Sequence, residues 1–340
     1  MQATLREDTV ADILVELGIL PAGADATVRS LSGGVANIVL AVSWDGGAVV
    51  AKQALPKLRV AADWPFDPAR TGIERACLDY LGQILPPGAV PRTLAFDAER
   101  NVLVISHAPS GGRNWKTALL AGDVEPEVAR RVGTLLGTLH REAARDDTAR
   151  AMFADLWPLI EGRVDPFHRV VAAAHPDLRE PILDEVERLL ETRTTLVLGD
   201  CSPKNVLVYP DHVLLLDFEV AHWGDPAFDV AFLLTHLALK AFHRPEGAPP
   251  LRACAASFTD AYRAAAGAVA PPDPAVIAEL GCLLLSRVDG KSPAEYLRDD
   301  RTRDAVRAAA RMLLLERGES LESALDAVFE ATVREARAGS

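Results

Sequence analysis

The sequence predicts an α+β fold with a small β-rich N-terminal part and a larger, mainly helical C-terminal part. Residues 27–55 and 92–106 are rich in β-branched and apolar residues, as strands require. Apolar residues recur at helical spacing through most of the chain after residue 124. The small-residue stretch 108–112 lies between the two regions and resembles a linker. We therefore expect an N-terminal lobe at 1–107, with an antiparallel sheet, and a C-terminal lobe at 108–340.

The N-terminal lobe is predicted to begin with an amphipathic helix over 4–20 that Pro21 ends. Strands follow within 27–55, where the turn Asp45-Gly46-Gly47 predicts a hairpin. The remaining elements of this lobe are a helix at about 72–85 and strands at 92–97 and 101–106.

The C-terminal lobe is predicted to contain helices at 124–145 and 180–193 and a short β patch. Everything after Pro226 has a helical pattern, ending in segment 301–337. The three runs of the β patch are 195–198, 206–209 and 213–218.

The charge balance excludes several classes of function. The chain has 340 residues, with 36 Lys and Arg against 48 Asp and Glu, so its net charge is −12. This excess of negative charge argues against binding to a nucleic-acid backbone or an anionic membrane surface. We find no signal peptide, no apolar run long enough to span a membrane and no CxxC pair among four cysteines. We therefore expect a cytoplasmic protein, either a monomer or a homodimer.

The residues that carry chemistry concentrate in segment 196–232. Asp200 and Asn205 form an Asp-x-x-x-x-Asn pattern, and Asp217 follows three leucines, as at the end of a buried strand. This is the layout of base and metal ligands in kinase-type phosphoryl transfer. Mg²⁺ bound to ATP prefers a few oxygen ligands, and a separate carboxylate takes the proton of the acceptor hydroxyl. Asp200 and Asn205 taken alone also fit an ordinary turn.

The N-terminal lobe adds a loop and a lysine to this pattern. The loop between two predicted strands contains Gly33, Gly34 and Asn37, and it fits either a phosphate-binding loop or a hairpin turn. Lys52 lies between apolar residues of the next strand, where kinases place a phosphate-pairing lysine. A lysine that protects a sheet edge is the alternative. Glu74 on the following helix is the best candidate for its partner, ahead of Asp79.

Taken together, these motifs resemble the aminoglycoside phosphotransferase family. This is the small-molecule branch of the protein-kinase-like fold that also includes choline and methylthioribose kinases. The resemblance covers about residues 28–300 and is most specific in GDCSPKNVLV and LLLDFEVAHWGDPAFDVAF. It implies a two-lobed fold, ATP and Mg²⁺ as cofactors, and a hydroxyl of a small molecule as acceptor. It also implies Asp200 as catalytic base, Asn205 and Asp217 as Mg²⁺ ligands, Lys52 at the α/β-phosphates, and the backbone of Ser106, His107 and Ala108 at adenine.

Three further positions follow from the resemblance. Glu219 is either an additional metal ligand or a support for one. Asp229 would brace the catalytic loop by accepting N–H bonds. Leu198 occupies the position where the family usually has a histidine, which leaves a nucleotide-binding protein without turnover as one alternative. A protein kinase is a second alternative, although no Ala-Pro-Glu marker follows Asp217.

The acceptor is not identified by the sequence. An aminoglycoside, a ribose-type sugar, an amino alcohol and a natural-product hydroxyl all remain open, and an acidic protein could favour a cationic acceptor. Arg287 and Asp289 either line the acceptor pocket or anchor the last helices. The other candidate acceptor residues, each of which also fits simple helix packing, are Trp157, Arg163, Asp165, Phe167 and His168.

Overall fold

The computed structural model describes residues 4–31, 35–316, 318 and 320–337. Its N-terminal part is built on a five-stranded antiparallel sheet with the strand order β1-β2-β3-β5-β4. The strands are β1 (Thr27–Ser30), β2 (Asn37–Trp44), β3 (Gly47–Ala54), β4 (Thr93–Asp97) and β5 (Val102–Ser106). The last strand therefore ends one residue before the predicted lobe boundary.

The two faces of this sheet pack against different helices. Helix α1 (Val10–Glu16) covers one face, where Val49 and Ala51 belong to a small apolar core. Helix α2 (Arg70–Ile84) covers the other face, where Val50 packs into the main core. Side chains alternate along a strand, so Lys52 faces α2 together with Val50.

Helix α1 is shorter than the sequence predicts. The expected helix over 4–20 is confined to Val10–Glu16 because Gly18 adopts a left-handed conformation, with φ of +69°. The amide of Ile19 then donates to the carbonyl of Leu14, which is a helix-ending hydrogen bond. Gly18 thus ends the helical segment before Pro21 is reached.

The C-terminal part is mainly helical, as predicted. A π-helix (Ile160–Arg169) joins α6 to α7 and contains Pro166. None of the helices in the described ranges is long and apolar enough to cross a membrane. The helices are α3 (Trp115–Ala121), α4 (Pro126–Ala143), α5 (Asp147–Met152), α6 (Trp157–Leu159), α7 (Val170–Ala174), α8 (Arg179–Glu191), α9 (Ala227–His243), α10 (Ala248–Ala266), α11 (Asp273–Asp289), α12 (Asp300–Glu316) and α13 (Leu321–Arg337).

The predicted β patch is divided between two small sheets. One has the order β6-β8-β9, and the other pairs β7 with β10. Their strands are β6 (Arg113–Asn114), β7 (Thr195–Val197), β8 (Val206–Val208), β9 (Val213–Leu215) and β10 (His222–Gly224). The segment between β7 and β8 carries the Asp-x-x-x-x-Asn motif, and Asp217 lies two residues after β9.

Candidate active site

Lys52 connects the sheet to the helical part of the chain. Its Nζ donates to Glu74 Oε1 on α2 at 2.5 Å and to Asp217 Oδ1 at 3.0 Å. Lys52 and Glu74 are buried, at 7% and 2% exposure, whereas the side chain of Asp217 is 23% exposed. Since β3 is an inner strand of the sheet, Lys52 does not protect a sheet edge.

The electrostatics of this group follow from its burial. Burial favours the neutral form of Lys52, but Asp217 and Glu74 outweigh it and raise the pKa of Lys52 above its usual range. Burial raises the pKa of Glu74 to about 7 despite the opposing effect of Lys52, and the Asp217 charge adds to the rise. Burial also opposes ionisation of Asp217, yet Lys52 and Lys204 bring its pKa down to about 2. Lys52 and Asp217 are therefore charged at neutral pH.

The backbone at Asp217 is unusual. Its φ is +69°, a left-handed conformation that residues other than glycine rarely adopt. The preceding amide, of Leu216, donates to the carbonyl of Asn205 at 2.9 Å, so the Asp200–Asn205 loop and the strand end are bonded to each other. Such strain persists where surrounding contacts impose it, and it concentrates at functional sites.

The segment before Asp200 is held by Asp229 on α9. The fully buried carboxylate of Asp229 accepts the amide N–H groups of Leu198 at 2.7 Å and Gly199 at 2.8 Å. His140 Nε2 lies 3.3 Å from the same carboxylate. Leu198 is buried in the core and keeps its backbone bond to Asp229, so the loop is held here without the histidine usual in the family.

Gly199 meets two local requirements that other residues do not. Its φ is +72°, and a Cβ at this position would lie 2.7 Å from Val220 Cγ1 and 2.9 Å from the Val220 carbonyl oxygen. Glycine is therefore needed both for the backbone conformation and for the close approach of the two segments.

Asp200 itself is buried at 6% exposure and contacts two cations. Arg163 Nη2 lies 3.2 Å from its Oδ1, and Lys204 Nζ lies 2.9 Å from its Oδ2. Arg163 also donates to the carbonyl of Gly199 at 2.7 Å. The amide nitrogen of Asn205 donates to the backbone carbonyl of Asp200 at 3.0 Å, and this orients the Asn205 side chain.

Glu219 links the segment after Asp217 to the N-terminal part of the chain. Its Oε2 accepts from Asn37 Nδ2 at 2.9 Å and from Arg70 Nε at 3.0 Å. Arg70, which is fully buried, also donates to the carbonyls of Ala36 and Leu55. Two donors on one carboxylate oxygen favour a role for Glu219 in positioning the site.

One predicted nucleotide-binding segment, residues 106–108, begins at the end of β5. Ser106 ends β5 and pairs with Val49, and its hydroxyl accepts from the amide of Arg92. His107 is exposed, with Nδ1 2.7 Å from the carbonyl oxygen of Ala108. Gly33 and Gly34 lie outside the described residues.

The predicted acceptor residues are dispersed. Arg163 reaches Asp200, whereas Asp165 pairs with Arg169 on the outside of the π-helix. Trp157 packs edge-on against Phe66. Phe167 is buried and stacks on Phe232, and its ring lies next to the Arg163 guanidinium.

His168 and Asp289 make structural contacts. His168 is fully buried, with Nε2 3.1 Å from both carboxylate oxygens of Glu279. Asp289 accepts from His175 at 2.8 Å and from two nitrogens of Arg307 at 2.9 and 2.7 Å. These contacts favour the anchoring interpretation of Asp289.

Two cations of the site, Lys204 and Arg70, are not among the residues predicted from the sequence. Lys204 had an available signal, because it lies inside the Asp-x-x-x-x-Asn motif and directly before Asn205. Arg70 precedes the predicted helix and has no neighbouring motif that marks it.

A strand lysine bonded to a helix glutamate, beside an Asp-x-x-x-x-Asn loop and a strand-end aspartate, defines the kinase-like phosphotransferases as a class. The family described as "Phosphotransferase enzyme family" matches residues 27–267. The chain belongs to this family, as the sequence predicts, and it is a phosphotransferase with a kinase-like fold.

Two relatives by sequence are methylthioribose kinases. The one from Bacillus cereus (strain G9842) is 25% identical over 270 residues, which cover 72% of this chain and 68% of the relative. Methylthioribose kinase 1 of Oryza sativa subsp. japonica is 25% identical over 245 residues, 64% of this chain and 56% of the relative.

Two solved structures share the fold. A macrolide 2′-phosphotransferase from Brachybacterium faecium has a TM-score of 0.53 and 19% identity, covering 92% of this chain and all of the other. A choline/ethanolamine kinase family protein from Mesorhizobium loti has a TM-score of 0.51 and 16% identity, covering 95% and 99% of the two chains. The α+β kinase-like fold predicted from the sequence is thereby confirmed.

Proposed function

We propose that this protein transfers the γ-phosphoryl group of ATP to a hydroxyl group of a small molecule. The observation that carries the proposal is the Lys52 ammonium, which bonds Glu74 on α2 and Asp217 beside the catalytic loop. A buried lysine between two carboxylates keeps its charge and is fixed in position. It is therefore suited to bind the phosphates of a nucleotide.

The nucleotide would lie between the proposed lobes 1–107 and 108–340. Lys52 supplies a point charge for the α- and β-phosphates. The backbone of residues 106–108, at the end of β5, is placed to hydrogen-bond adenine. Gly33 and Gly34, which precede β2 in the sequence, are proposed from the sequence alone to contact the phosphates through their amide groups.

Asp217 and Asn205 are the residues that would hold Mg²⁺. They offer a carboxylate and an amide oxygen, which are the hard ligands this ion prefers. No group of three or more His, Cys, Asp or Glu side chains suited to a metal occurs among the described residues. This fits Mg²⁺ bound together with ATP, which takes one or two protein carboxylates and completes its shell with phosphate oxygens and water. When bound there, Mg²⁺ would neutralise charge on the phosphates.

Asp200 is the proposed base. The acceptor hydroxyl oxygen forms a bond to the γ-phosphorus, and the bond from that phosphorus to the β–γ bridging oxygen breaks. ADP leaves with the electron pair, and the hydroxyl proton passes to Asp200 and then to water. Arg163 and Lys204 hold the Asp200 carboxylate in position, and Asp229 fixes the backbone before it. Catalysis then comes mainly from positioning and electrostatics.

Two observations support a small acceptor. The relatives include methylthioribose kinases, and the structural neighbours include a macrolide 2′-phosphotransferase. Only nine residues separate Asp217 from Ala227, where α9 begins, which is too few for the long activation segment of a protein kinase.

The test is calorimetric titration of the Asp217→Ala variant with MgATP. We expect the Mg²⁺-dependent affinity for ATP to fall at least about tenfold, as expected for loss of a charged contact. Asp211→Ala is the matched control, since the Asp211 side chain is 86% exposed and pairs only with the adjacent His212 among the described residues. Equal MgATP affinity in wild type and Asp217→Ala would contradict the proposed metal role.

A further inference from the structure

A group of basic side chains lies on three helices of the C-terminal part. We call Lys116 on α3, Lys240 on α9 and Arg287 on α11 the basic cluster. Two of its members share Tyr296: Lys116 Nζ lies 6.0 Å and Lys240 Nζ 5.5 Å from the centroid of that ring. None of the three belongs to β3 or α2, the elements that carry Lys52 and Glu74.

The basic cluster has more positive than negative charge. Glu295 pairs with Lys116 at 2.5 Å. Lys240 is buried at 2% exposure, and its ammonium donates to a neutral group, the carbonyl of His236, at 3.1 Å. Arg287 likewise donates to a neutral carbonyl, that of Ser292. Glu295 also attracts Lys240 and Arg287, but one carboxylate does not balance three cations, and burying an uncompensated cation is costly.

Two polar atoms of this region lack a hydrogen-bond partner among the described residues. They are the hydroxyl of Tyr296 and Nε of Arg287. Tyr296 is only 9% exposed. Both atoms are donors. Buried donors are nearly always satisfied in native proteins, and an anionic ligand would satisfy both.

The electrostatic state of Lys240 agrees with an excess of positive charge. Burial lowers the pKa of Lys240 to about 7, and the charges of Lys116 and Arg287 lower it in the same direction. Burial and the Lys240 charge also hold the pKa of His236 well below its usual range. An anion in contact with these groups would relieve the repulsion.

The basic cluster adjoins the catalytic loop. Arg287 lies close enough to Asp200 and Arg163 for their charges to affect its own protonation. The Arg163 guanidinium lies 5.5 Å from the ring centroid of Phe232, and that ring lies 5.0 Å from the ring of His236. Asp200 is already paired with Arg163 and Lys204, so its charge offsets that of Arg287 only in part.

We propose that the acceptor carries an anionic group, a carboxylate or a phosphate, that binds to Lys116, Lys240 and Arg287 while its hydroxyl faces Asp200. This inference rests on the proposed phosphotransferase function and names the chemical class of its acceptor. Ammonium, guanidinium and phenol groups are the donors that bind carboxylates and phosphates in proteins. A cationic acceptor, which the acidity of the whole chain could suggest, would meet like charges here.

The first experiment compares four probes: ribose, ribonate, ribose 5-phosphate and choline. Each is titrated calorimetrically into the full chain with Mg²⁺ and a non-hydrolysable ATP analogue, which occupies the nucleotide site. We expect at least one of the two anionic probes to bind about ten- to a hundredfold more tightly than ribose, as charged hydrogen bonds predict. Tighter binding of ribonate would identify a carboxylate as the anionic group of the acceptor, and tighter binding of ribose 5-phosphate would identify a phosphate. Binding of ribose or choline as tightly as both anions would overturn the proposal.

Variants of the basic cluster locate the binding. In Lys240→Met and Arg287→Gln the preference for the anionic probe over ribose should fall about tenfold or more each. Lys57→Met is the matched control, because Lys57 is 61% exposed and pairs with Asp63 in the N-terminal part. Removing a buried, unpaired charge should keep or raise the melting temperature, so Lys240→Met should fold even if Arg287→Gln does not. A Lys240→Met variant that keeps the wild-type preference would contradict the proposal.

Failure of the underlying function has a different signature. If the protein were not a phosphotransferase, no probe would yield a phosphate ester with MgATP, although the anion preference and its loss in Lys240→Met would persist. If the acceptor were not anionic, ATP would still be consumed, with ribose or choline preferred over both anions.

Discussion

The buried pair of Lys52 and Glu74 gives a quantitative test of the site. The Lys52→Met variant removes the ammonium and leaves Glu74, at 2% exposure, without its partner at 2.5 Å. Breaking a buried pair by removing one member typically costs about 3–5 kcal/mol. Because Glu74 can escape part of this cost by taking up a proton, we expect a loss near the lower limit, about 3 kcal/mol in the free energy of unfolding at pH 7.

The loss should depend on pH. The pKa of Glu74 in the folded wild type is already about 7, raised by burial, and without Lys52 it rises further. A carboxyl group whose folded pKa lies above its unfolded value stabilises least at high pH, because the unfolded state then releases the proton more readily. Lys52→Met should therefore be destabilised more at pH 8 than at pH 5.

Urea unfolding at these two pH values measures both effects. The double variant Lys52→Met/Glu74→Gln removes the buried Glu74 charge and leaves only the partly exposed Asp217 carboxylate without Lys52. It should recover most of the stability at pH 8, but not the affinity for MgATP. Lys57→Met, which breaks an exposed ion pair, should change stability by at most about 1 kcal/mol. Wild-type stability of Lys52→Met at pH 8, or a double variant less stable than the single one, would refute the reasoning.

Three further predictions concern the catalytic loop and its supports. Asp229→Asn replaces one of the two oxygens that accept the amides of Leu198 and Gly199 with a donor. Urea unfolding should show a loss of about 2–3 kcal/mol in stability, and ADP release should show turnover at least tenfold lower. Unchanged stability and turnover would exclude the bracing role. Gly199→Ala should destabilise the protein by about 1–3 kcal/mol more than Gly23→Ala, because both positions have a positive φ but only the Cβ at 199 would meet Val220, at 2.7 Å. Gly23 has φ of +77° and open space around it. Equal losses of stability in the two variants would argue against the close approach of Gly199 and Val220. Burial lowers the pKa of His222 to about 4, so on acidification the unfolded state binds the proton before the folded state does. The free energy of unfolding should therefore fall by up to about 3 kcal/mol as pH drops from about 6.5 to 4. His222→Gln should lose less stability over this range, and a loss equal to that of the wild type would contradict the prediction.

The parts of the fold that the sequence predicts well are those with a regular pattern. The alternation of side chains in β3 puts Lys52 on the face of α2, and helical spacing brings Glu74 to the same face. The strand-end position of Asp217 also follows from three leucines before it. The left-handed conformation of Asp217 could not be predicted, because surrounding contacts impose it on a residue that would otherwise avoid it.

The contacts that the sequence did not reveal are made by charged side chains without periodicity. Arg163 belongs to the π-helix, and only tertiary packing brings it to Asp200. Lys204, in contrast, lies only four residues after Asp200. Arg70 joins Glu219 across 149 residues. In the sequence Lys240 only interrupts an apolar helix, and its place in the basic cluster depends on Tyr296, which lies in a loop more than 50 residues later.

The most direct measurement of the central claim is phosphorus NMR of a reaction that contains MgATP and a panel of hydroxyl compounds. The panel would include methylthioribose, an aminoglycoside, choline, ribonate and ribose 5-phosphate. The wild-type protein should form a phosphate ester with at least one compound, together with one equivalent of ADP. Asp200→Asn should bind MgATP with nearly wild-type affinity and form that ester orders of magnitude more slowly. Ester formation at the wild-type rate in Asp200→Asn would contradict the assignment of Asp200 as the base.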